Sequence, residues 1–378
     1  MLMTPAGLAL FYGGLTQNKH VLNTIGMSYM AFCTGTIVWV VAGYSLAFGE
    51  GNAWIGDFSH FLLADIGVHD VSGTIPSLLF VVFQGTFAAI AVAIVSGSVI
   101  ERVRFSTWGI FSILWVLAVY APIAHWVWGG GFLSNSGEMD FAGGTVIHIN
   151  AGIAGLVLSY LVGKRKAHSL EEVRKPSSIK FMILGSALLW FGWFGFNAGT
   201  ALGANFDAVI AFANTNLASA TSMITWIFYD RFFGRKMSAV GACIGAIVGL
   251  VAITPAAGFV TIGQSVFIGF TAAIISNIAI RITKKSNIDD TLDVFPSHGV
   301  GGIVGMILTA VFAKDVGLIY GSYDLFTAHL LAVLIVVVFT LVISYALYKI
   351  VDMIMSIRVR EDQEERGLDD SQHGELFT

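Results

Sequence analysis

Long apolar segments, separated by short polar loops, follow one another along nearly the whole chain of 378 residues. A helix needs about 20 residues to cross a bilayer, and most of these segments approach or exceed that length. They lie at 1–15, 23–48, 77–99, 106–124, 140–163, 181–198, 206–229, 238–253, 263–282, 298–313 and 325–355. The pattern predicts an all-α membrane protein with eleven transmembrane helices. Segment 1–15 is short, and we expect this first helix to be truncated at its outer half.

Charged residues make up only 12% of the chain, about half of their share in a soluble domain, and their positions divide the loops into two kinds. When the helices are threaded up and down in turn, the basic loops share one side, and Lys314 is the exception among 20 lysines and arginines. The positive-inside rule makes the basic side cytoplasmic. Loops 49–76 and 125–139 carry no lysine or arginine and are assigned to the outside. We expect a multi-pass protein of the inner (plasma) membrane.

A pattern that begins with a histidine occurs twice. Residues 148–159 have the sequence HINAGIAGLVLS, and residues 298–309 have the sequence HGVGGIVGMILT. Both place Gly-Ile four residues after the histidine, followed at matching positions by a glycine, a leucine and a hydroxyl residue. Internal repeats in a membrane chain indicate two structural halves with the functional site between them. With five spans in each half, an odd number, the halves are predicted to form an inverted pseudo-twofold repeat.

The domain organisation is predicted from this repeat. A first five-helix repeat covers 1–166 and a second covers 179–314, with a cytoplasmic linker at 167–178 between them. An outside loop and a long final helix follow at 315–355. The charged residues 356–378 form the expected cytoplasmic C-terminal tail.

His148 and His298 are the candidate core of the site, because an ionisable group inside a membrane span is a functional-site hypothesis by default. A single histidine on an apolar helix is usually satisfied by a neighbour. Two histidines at repeat-equivalent positions can instead share one N–H···N hydrogen bond and turn their outer nitrogens toward a narrow lumen. The rival interpretation is a metal site, which needs further ligands, and the sequence has no His-Glu-x-x-His or Cys-x-x-Cys motif.

An aspartate precedes each histidine, Asp140 in the first repeat and Asp293 in the second. Asp140 has two interpretations. It can stabilise a cation near the outer mouth through its charge, or it can cap its own helix by accepting hydrogen bonds from the N–H groups of Ala142 and Gly143. Trp128 lies in the predicted outside loop, where its ring face can hold a cation with about 0.5–2 kcal/mol. The alternative for Trp128 is an ordinary interfacial tryptophan.

The segment 140–165 resembles the signature of the ammonium transporter (Amt/Mep/Rh) family. Other segments are similar to further landmarks of that family, namely 11–14 (FYGG), 83–85 (FQG), 123–126 (IAHW), 191–197 (FGWFGFN) and 293–299 (DVFPSHG). The tail from 358 to 375, together with Trp128, resembles the bacterial Amt branch rather than the Rh branch.

The resemblance implies roles for particular residues. Phe87 and Phe212 correspond to phenylalanines that stack across a pore mouth, and the two histidines correspond to a twin-histidine pore. Family members often place a hydroxyl residue about four positions after the phenylalanine on the seventh span, and that position is Asn216 here, with Ser219 one turn further. The expected recruitment residues are Trp128, Asp140, Asn216 and Ser219.

The implied function is channel-like ammonium/ammonia transport, with methylammonium as an analogue. Ammonium is captured outside, loses a proton beneath Trp128, passes as ammonia along the histidines and is reprotonated inside. Whether the proton follows through the histidines or stays outside is left open by the sequence. The resemblance also implies a homotrimer and a tail that meets a PII-type signalling protein, whereas the tail by itself is typical of a disordered end.

Two other classes of function were weighed. An ammonium sensor with little useful flux is the main alternative. An intramembrane enzyme built on the two histidines lacks a nucleophile or a metal constellation in the sequence. We therefore expect no enzyme, no cofactor, no metal and no nucleic-acid partner.

Overall fold

A computed structural model describes residues 1–166 and 175–377, and most of them are helical. Part of the expected linker 167–178 lies outside the described residues, as does Thr378 of the expected tail. In chain order the main helices are α1 Met3–Leu15, α2 Asn18–Phe48, α3 Ser77–Ser96, α4 Phe105–Asn135, α5 Gly144–Val162, α6 Ile179–Ala201, α7 Phe206–Phe232, α8 Ala239–Ile253, α9 Ile262–Lys285, α10 Phe295–Phe312 and α11 Asp324–Ile354.

Eight of these helices are, within the described part of the chain, long and apolar enough to cross a membrane. They are α2, α3, α4, α5, α6, α9, α10 and α11. Helices α1 and α8 are shorter, and α7 carries a row of hydroxyl and amide side chains along its 27 residues. Helices satisfy their own backbone groups, which is why they can span hydrocarbon. The chain is therefore a multi-pass membrane protein.

A small antiparallel ribbon lies in the loop between α2 and α3. Strand β1, Val71–Ser72, pairs with β2, Ile75–Pro76, across a turn in which Gly73 has a φ of 58°. Shorter helical turns lie at Phe61–Leu63 and Leu318–Tyr320 in loops, and at Glu361–Arg366 and Asp369–His373 in the tail.

Polar side chains begin several helices of the second half. Ser178, Asn205, Ser238 and Thr261 each immediately precede a helix, and each side chain accepts a hydrogen bond from the backbone N–H three residues later. Such N-caps satisfy one of the free N–H groups of a helix start. They explain where α6, α7, α8 and α9 begin.

Glycines allow two pairs of helices to approach closely. A Cβ atom built on Gly185 of α6 would collide with the backbone of α1 at Phe11, and one built on Gly152 of α5 would collide with the backbone of Gly299 on α10. Small residues at such crossings let membrane helices pack through their backbones. The second crossing lies four residues after His148 and thereby brings the two histidine-bearing helices together.

Helix α4 extends beyond the end that the sequence predicts. The predicted outside loop 125–139 begins inside α4, which is continuously helical as far as Trp128 and, after a break at 129–131, adds a last helical turn at Phe132–Asn135. The ring nitrogens of His125 lie 3.0 Å from the carbonyl oxygen of Ala47 and 2.7 Å from that of Asn52, and the single N–H of a neutral ring can donate to one of these two oxygens. The prediction that Trp128 lies in a loop is therefore wrong, because it is the last residue of a helical segment.

A buried ion network joins the loops on the basic side. The guanidinium of Arg165 lies 2.8 Å from Glu101, in the loop before α4, and 2.8 Å from Asp289, in the loop before α10. Burial alone would raise the pKa of Glu101, but the charge of Arg165 and further partners outweigh it and hold that pKa below its usual value. The network thus connects segments from both sides of the linker.

The tail folds back onto this basic side. The carboxylate of Asp369 accepts hydrogen bonds from the backbone N–H groups of Leu22, at 3.1 Å, and Asn23, at 2.8 Å, near the start of α2. The N–H of Val359 donates to the carbonyl oxygen of Arg102 at 3.1 Å. The described part of the tail is therefore an ordered part of the fold rather than a disordered end.

We expect Arg165→Ala to destabilise the protein strongly, because it removes the guanidinium that pairs with the buried carboxylates of Glu101 and Asp289. Removing one partner of a buried ion pair costs about 3–5 kcal/mol. The measurement is thermal unfolding of the purified protein in detergent. The control is Arg360→Ala, since the pair of Arg360 with Asp362 is exposed and contributes little. Equal melting temperatures for the two variants would contradict the importance of the network.

Candidate functional site

The two histidines meet in the interior of the bundle. His148 and His298 each lie in the first turns of a helix, within π-helical turns at Gly144–Ile149 and Phe295–Val300. Their Nδ1 atoms are 3.3 Å apart, and both side chains are buried. One N–H···N hydrogen bond fits this distance, with one ring donating and the other accepting. Repeat-equivalent residues are thus brought into direct contact.

An aromatic stack from α6 covers one ring of this pair. The indole of Trp193 lies parallel to the His148 ring with centroids 5.4 Å apart, and the ring of Phe196 lies parallel to it at 5.8 Å. Trp193 is held in place because its Nε1–H donates to Oγ1 of Thr254 at 3.0 Å. The stack shields His148 from water and limits its ring to one orientation.

Phe87 continues this arrangement toward the end of the bundle where α4 ends. Its buried ring makes edge-to-face contact with Phe196 at 4.7 Å and lies 5.8 Å from the ring of Trp128. We call the resulting series the aromatic column. It consists of Trp128, Phe87, Phe196, His148 and His298. The column leads from the end of α4 to the histidine pair through apolar surroundings.

Phe212 lies elsewhere. Its side chain is 48% exposed and stacks on Phe194 at 4.0 Å, on the far side of α6 from the column. The predicted stacking of Phe212 with Phe87 is therefore wrong, and Phe196 fills that place. The signal was present in the motif 191–197, where Trp193 and Phe196 are three residues apart and so share one helix face.

The polar residues expected near Phe212 are also distant from the column. Asn216 is exposed on α7, and the hydroxyl of buried Ser219 donates to the carbonyl oxygen of Ala246 at 3.0 Å, which ties α7 to α8. Thr200 is instead the hydroxyl residue four positions after a phenylalanine of the column, since it follows Phe196 by four residues. Its hydroxyl donates to the carbonyl oxygen of Phe196 at 2.9 Å and keeps its acceptor lone pairs available.

Asp140 caps α5. Its buried carboxylate accepts hydrogen bonds from the N–H groups of Gly143 (2.9 Å), Gly144 (2.6 Å) and Thr145 (2.8 Å), and from the Thr145 hydroxyl (2.7 Å). The helix therefore begins at Gly144 rather than at the aspartate. The carbonyl oxygen of Asp140 accepts a hydrogen bond from Nε1–H of Trp128 at 2.9 Å. One residue thus fixes both the start of α5 and the first ring of the column.

The capping donors differ in one respect from the sequence-based expectation. Gly143 donates as predicted, but the other backbone donors are Gly144 and Thr145 rather than Ala142. Gly143 has a φ of 122°, a conformation that favours glycine. This turn lets the chain wrap around the carboxylate.

Asp290, not Asp293, is the counterpart of Asp140 in the second half. It precedes its histidine by eight residues, as Asp140 does, and its carboxylate accepts a hydrogen bond from the N–H of Phe295 at 2.7 Å. Asp293 instead pairs with Lys284 at 3.0 Å. Burial and the neighbouring Asp293 charge raise the pKa of Asp290 to about 6. The equal spacing of eight residues was the available sequence signal.

Two narrow cavities adjoin the second histidine. The room for the centres of water-sized molecules is about 10 Å³ in one and 20 Å³ in the other. Phe11, Tyr12, Ile247 and His298 line both. Since about 10–15 Å³ of such room is needed for a single water, these spaces suit only very small molecules.

The histidine pair offers a hydrogen-bonding position to a small guest. Nε2 of His148 is buried without a hydrogen-bond partner among the described residues, so it can bond to a small guest. Within residues 1–166 and 175–377 no group of three or more His, Cys, Asp or Glu side chains is arranged to hold a metal ion.

Comparisons with known proteins agree with one another. The model of the Ammonium Transporter Family matches residues 1–377. The chain is 46% identical to an ammonium transporter of Aquifex aeolicus over 99% of this chain and 89% of the relative, and 44% identical to one of Bacillus subtilis over 99% and 94%. Its structure is similar to Candida albicans Mep2, with a TM-score of 0.89, 36% identity, and coverage of 96% and 84%. A structure titled "Sensor Amt Protein" has a TM-score of 0.92, 26% identity, and coverage of 98% and 95%.

We expect Asp140→Asn to destabilise the protein, although the two side chains are similar in size. Both carboxylate oxygens accept hydrogen bonds, so the amide nitrogen would face an N–H or O–H donor. A buried group left unsatisfied costs about 1–3 kcal/mol, and thermal unfolding in detergent should show it. Asp315→Asn, at an exposed loop position, is the control and should melt like the wild type. An Asp140→Asn variant that melts like the control would contradict the capping argument.

Proposed function

Because the chain belongs to the Ammonium Transporter Family, we propose that it conducts ammonium across the membrane by stripping a proton from it and passing ammonia along the aromatic column. The family is one of transporters, so the protein is not an enzyme. The observation that carries the proposal is the 3.3 Å contact between His148 and His298 at the inner end of an apolar column.

The energetics of the substrate favour such a route. Burying a bare cation in hydrocarbon costs tens of kcal/mol by Born estimates, whereas a neutral molecule loses only some hydrogen bonds. The column is apolar from Phe87 to the histidines and has no charged side chain among its five members. Ammonia can pass there, while ammonium and hydrated metal cations meet a large desolvation cost.

Recruitment is assigned to the outer end of the column. The ring of Trp128 can attract a cation, and the buried charge of Asp140 behind it adds a favourable field. Thr200 replaces Asn216 and Ser219 as the proposed hydrogen-bond acceptor, since it lies one turn beyond Phe196. Potassium resembles ammonium in size but donates no hydrogen bonds, so a hydroxyl acceptor favours ammonium.

Phe87 and Phe196 form the proposed gate. Their rings are in edge-to-face contact 4.7 Å apart between Trp128 and His148. A closed pair of rings excludes water, and small ring rotations suffice to admit a molecule the size of ammonia. Exclusion of water also strengthens the preference for a neutral permeant.

The histidine pair is proposed to receive the ammonia. Nε2 of His148 offers a free position for a hydrogen bond, and the cavities beside His298 are of matching size. The shared N–H···N bond also provides a path along which a proton can move from one ring to the other. A current after an ammonium pulse on solid-supported membranes is expected if the proton takes this path. No current is expected if it stays outside.

The arrangement in the membrane is part of the same proposal. Eleven spans in two inverted five-helix halves plus a final helix are supported by the paired π-helical turns around His148 and His298 and by the matching caps of Asp140 and Asp290. The basic loops and the tail then face the cytoplasm of a cell with the protein in its plasma membrane. A homotrimer, and a PII-type protein that meets the ordered tail, complete the proposal.

The sensor alternative has less support. The relatives from Aquifex aeolicus and Bacillus subtilis are named transporters, whereas the structure with "Sensor" in its title shares only 26% identity. Transport is therefore the function that we carry forward.

We expect His148→Ala and His298→Ala each to lower methylammonium uptake about tenfold or more, since each removes the partner of the other ring and its bond to the permeant. Uptake into proteoliposomes measures this. His69→Ala, at an exposed histidine of the outer loop, is the control and should transport like the wild type. Normal uptake by both pore variants would refute the assignment of the pair.

We expect Phe196→Ala to alter transport and Phe212→Ala to leave it nearly unchanged, because only Phe196 contacts Phe87 and the histidine stack. The two substitutions are chemically identical, so each serves as the control for the other. The measurement is methylammonium uptake together with its inhibition by potassium. A larger effect of Phe212→Ala would restore the gate that the sequence suggested.

A further inference from the structure

A second buried carboxyl group lies beside Asp140. Glu138, in the loop between α4 and α5, has only 8% of its surface exposed. Its Oε1 atom is 2.9 Å from Oγ1 of Thr145, which is itself 2.7 Å from Oδ2 of Asp140. Its other oxygen, Oε2, is buried without a hydrogen-bond partner among the described residues. The transport scheme above makes no use of this group.

These contacts determine where a proton lies. A hydroxyl group has one proton to donate, yet Thr145 has two carboxyl groups within hydrogen-bond distance. Asp140 also accepts three backbone N–H bonds, whereas Oε2 of Glu138 has no partner among the described residues, so Asp140 is the ionised acceptor and receives the hydroxyl proton. The contact with Glu138 is then a hydrogen bond only if Glu138 is protonated and donates to the oxygen of Thr145. Glu138 thus donates a hydrogen bond to the hydroxyl oxygen of Thr145, and the Thr145 hydroxyl donates one to Asp140.

The electrostatics agree with this proton count. Burial and the nearby charge of Asp140 raise the pKa of Glu138 to about 8, even when Thr145 is counted as donating to the ionised form, which by itself would lower that pKa. Glu138 is therefore neutral at neutral pH and ionises in the mildly alkaline range.

Among the described residues, the other titratable groups around this loop are a neutral histidine, a buried tyrosine and two exposed charges. His329 on α11 accepts the N–H of Met139 at Nε2, at 3.1 Å, and its Nδ1 lies 2.8 Å from the carbonyl oxygen of Met306, so Nδ1 holds the proton and the ring is neutral. Tyr120 on α4 is buried and uncharged. The loop after α10 has a lysine and an aspartate at 314–315, both exposed to solvent.

We propose that Glu138 is a positioning residue whose protonation keeps Thr145 and Asp140 in place and whose ionisation slows transport, an inference that rests on the proposed function. Ionised Glu138 needs the same hydroxyl proton as Asp140, and two carboxylates around one oxygen repel each other. Because the carbonyl oxygen of Asp140 holds Trp128, the repulsion displaces the first ring of the column. External pH thereby acts on the recruitment end of the protein.

The test compares the wild type with Glu138→Gln in proteoliposomes at external pH values below and above about 8, the pKa of Glu138. The glutamine amide can donate to Thr145 at every pH and cannot ionise. If only the neutral form transports well, wild-type methylammonium uptake falls about tenfold from one unit below to one unit above this pKa. Glu138→Gln should keep its low-pH rate throughout. A parallel fall in both proteins, or no fall in the wild type, overturns the proposal.

Thr145→Val provides a second variant, since it removes the hydroxyl that links the two carboxyl groups. Thr145→Val should take up methylammonium more slowly than the wild type at all pH values. Like Glu138→Gln, it should show no fall in uptake near pH 8. A step that persists in Thr145→Val would show that Glu138 does not act through this hydroxyl.

Infrared difference spectra separate this inference from the transport function. A protonated carboxyl band that titrates near pH 8 in the wild type and is missing in Glu138→Gln supports the protonation state independently of uptake. If that band is present but the wild type takes up no methylammonium at any pH, the proposed function fails. If uptake is normal but the band is missing, the assignment to Glu138 fails.

Discussion

The close crossing of α5 and α10 is the constraint on which the site depends. The two backbones approach at Gly152 and Gly299, where a single Cβ atom would force them apart. This approach lets His148 reach His298, and it leaves each ring with the other as its polar neighbour. In hydrocarbon an unsatisfied polar group costs several kcal/mol, so a site made of two imidazoles needs both the close crossing and the shared hydrogen bond. The aromatic stack of α6 then has a fixed ring to pack against.

Part of this site could be inferred from the sequence, because an internal repeat and the positions of charged residues can be recognised in the sequence itself. The histidines were identified by the repeated glycine pattern that follows each of them, and Phe87 by its place in a family-like motif. The role of Phe196 does not follow from the sequence, because the family resemblance points to a phenylalanine on the seventh span, whereas Phe196 lies on α6. Trp193 and Phe196 lie on the face of α6 that packs against the column. Because this helix is apolar on all sides, its pattern of polar residues does not indicate which face points inward. Tertiary packing decides it.

Other features depend on local geometry that the residue pattern conveys only weakly. Three glycines after Trp128 favour an early end of α4, yet the helix continues as far as Trp128, and a ring nitrogen of His125 can donate to the carbonyl oxygen of Ala47 or of Asn52. The sequence favours Asp293 because it is nearer to His298, but Asp290 makes the capping hydrogen bond. The π-helical turns that contain the two histidines have no simple sequence signal. Each of these differences shifts a side chain by about one helical turn or less. A shift of that size decides whether a side chain contacts the site.

The ion network of Arg165 has a consequence for how the protein can move. Its two carboxylate partners come from segments before and after the linker, and breaking such buried pairs costs several kcal/mol. A carrier whose two halves rock against each other would have to break these ion pairs in each transport cycle. A stationary scaffold, with motion confined to side chains such as the rings of Phe87 and Phe196, avoids that barrier. With the proposed gate, each passage would then require only that these two rings swing apart, while the ion pairs stay intact.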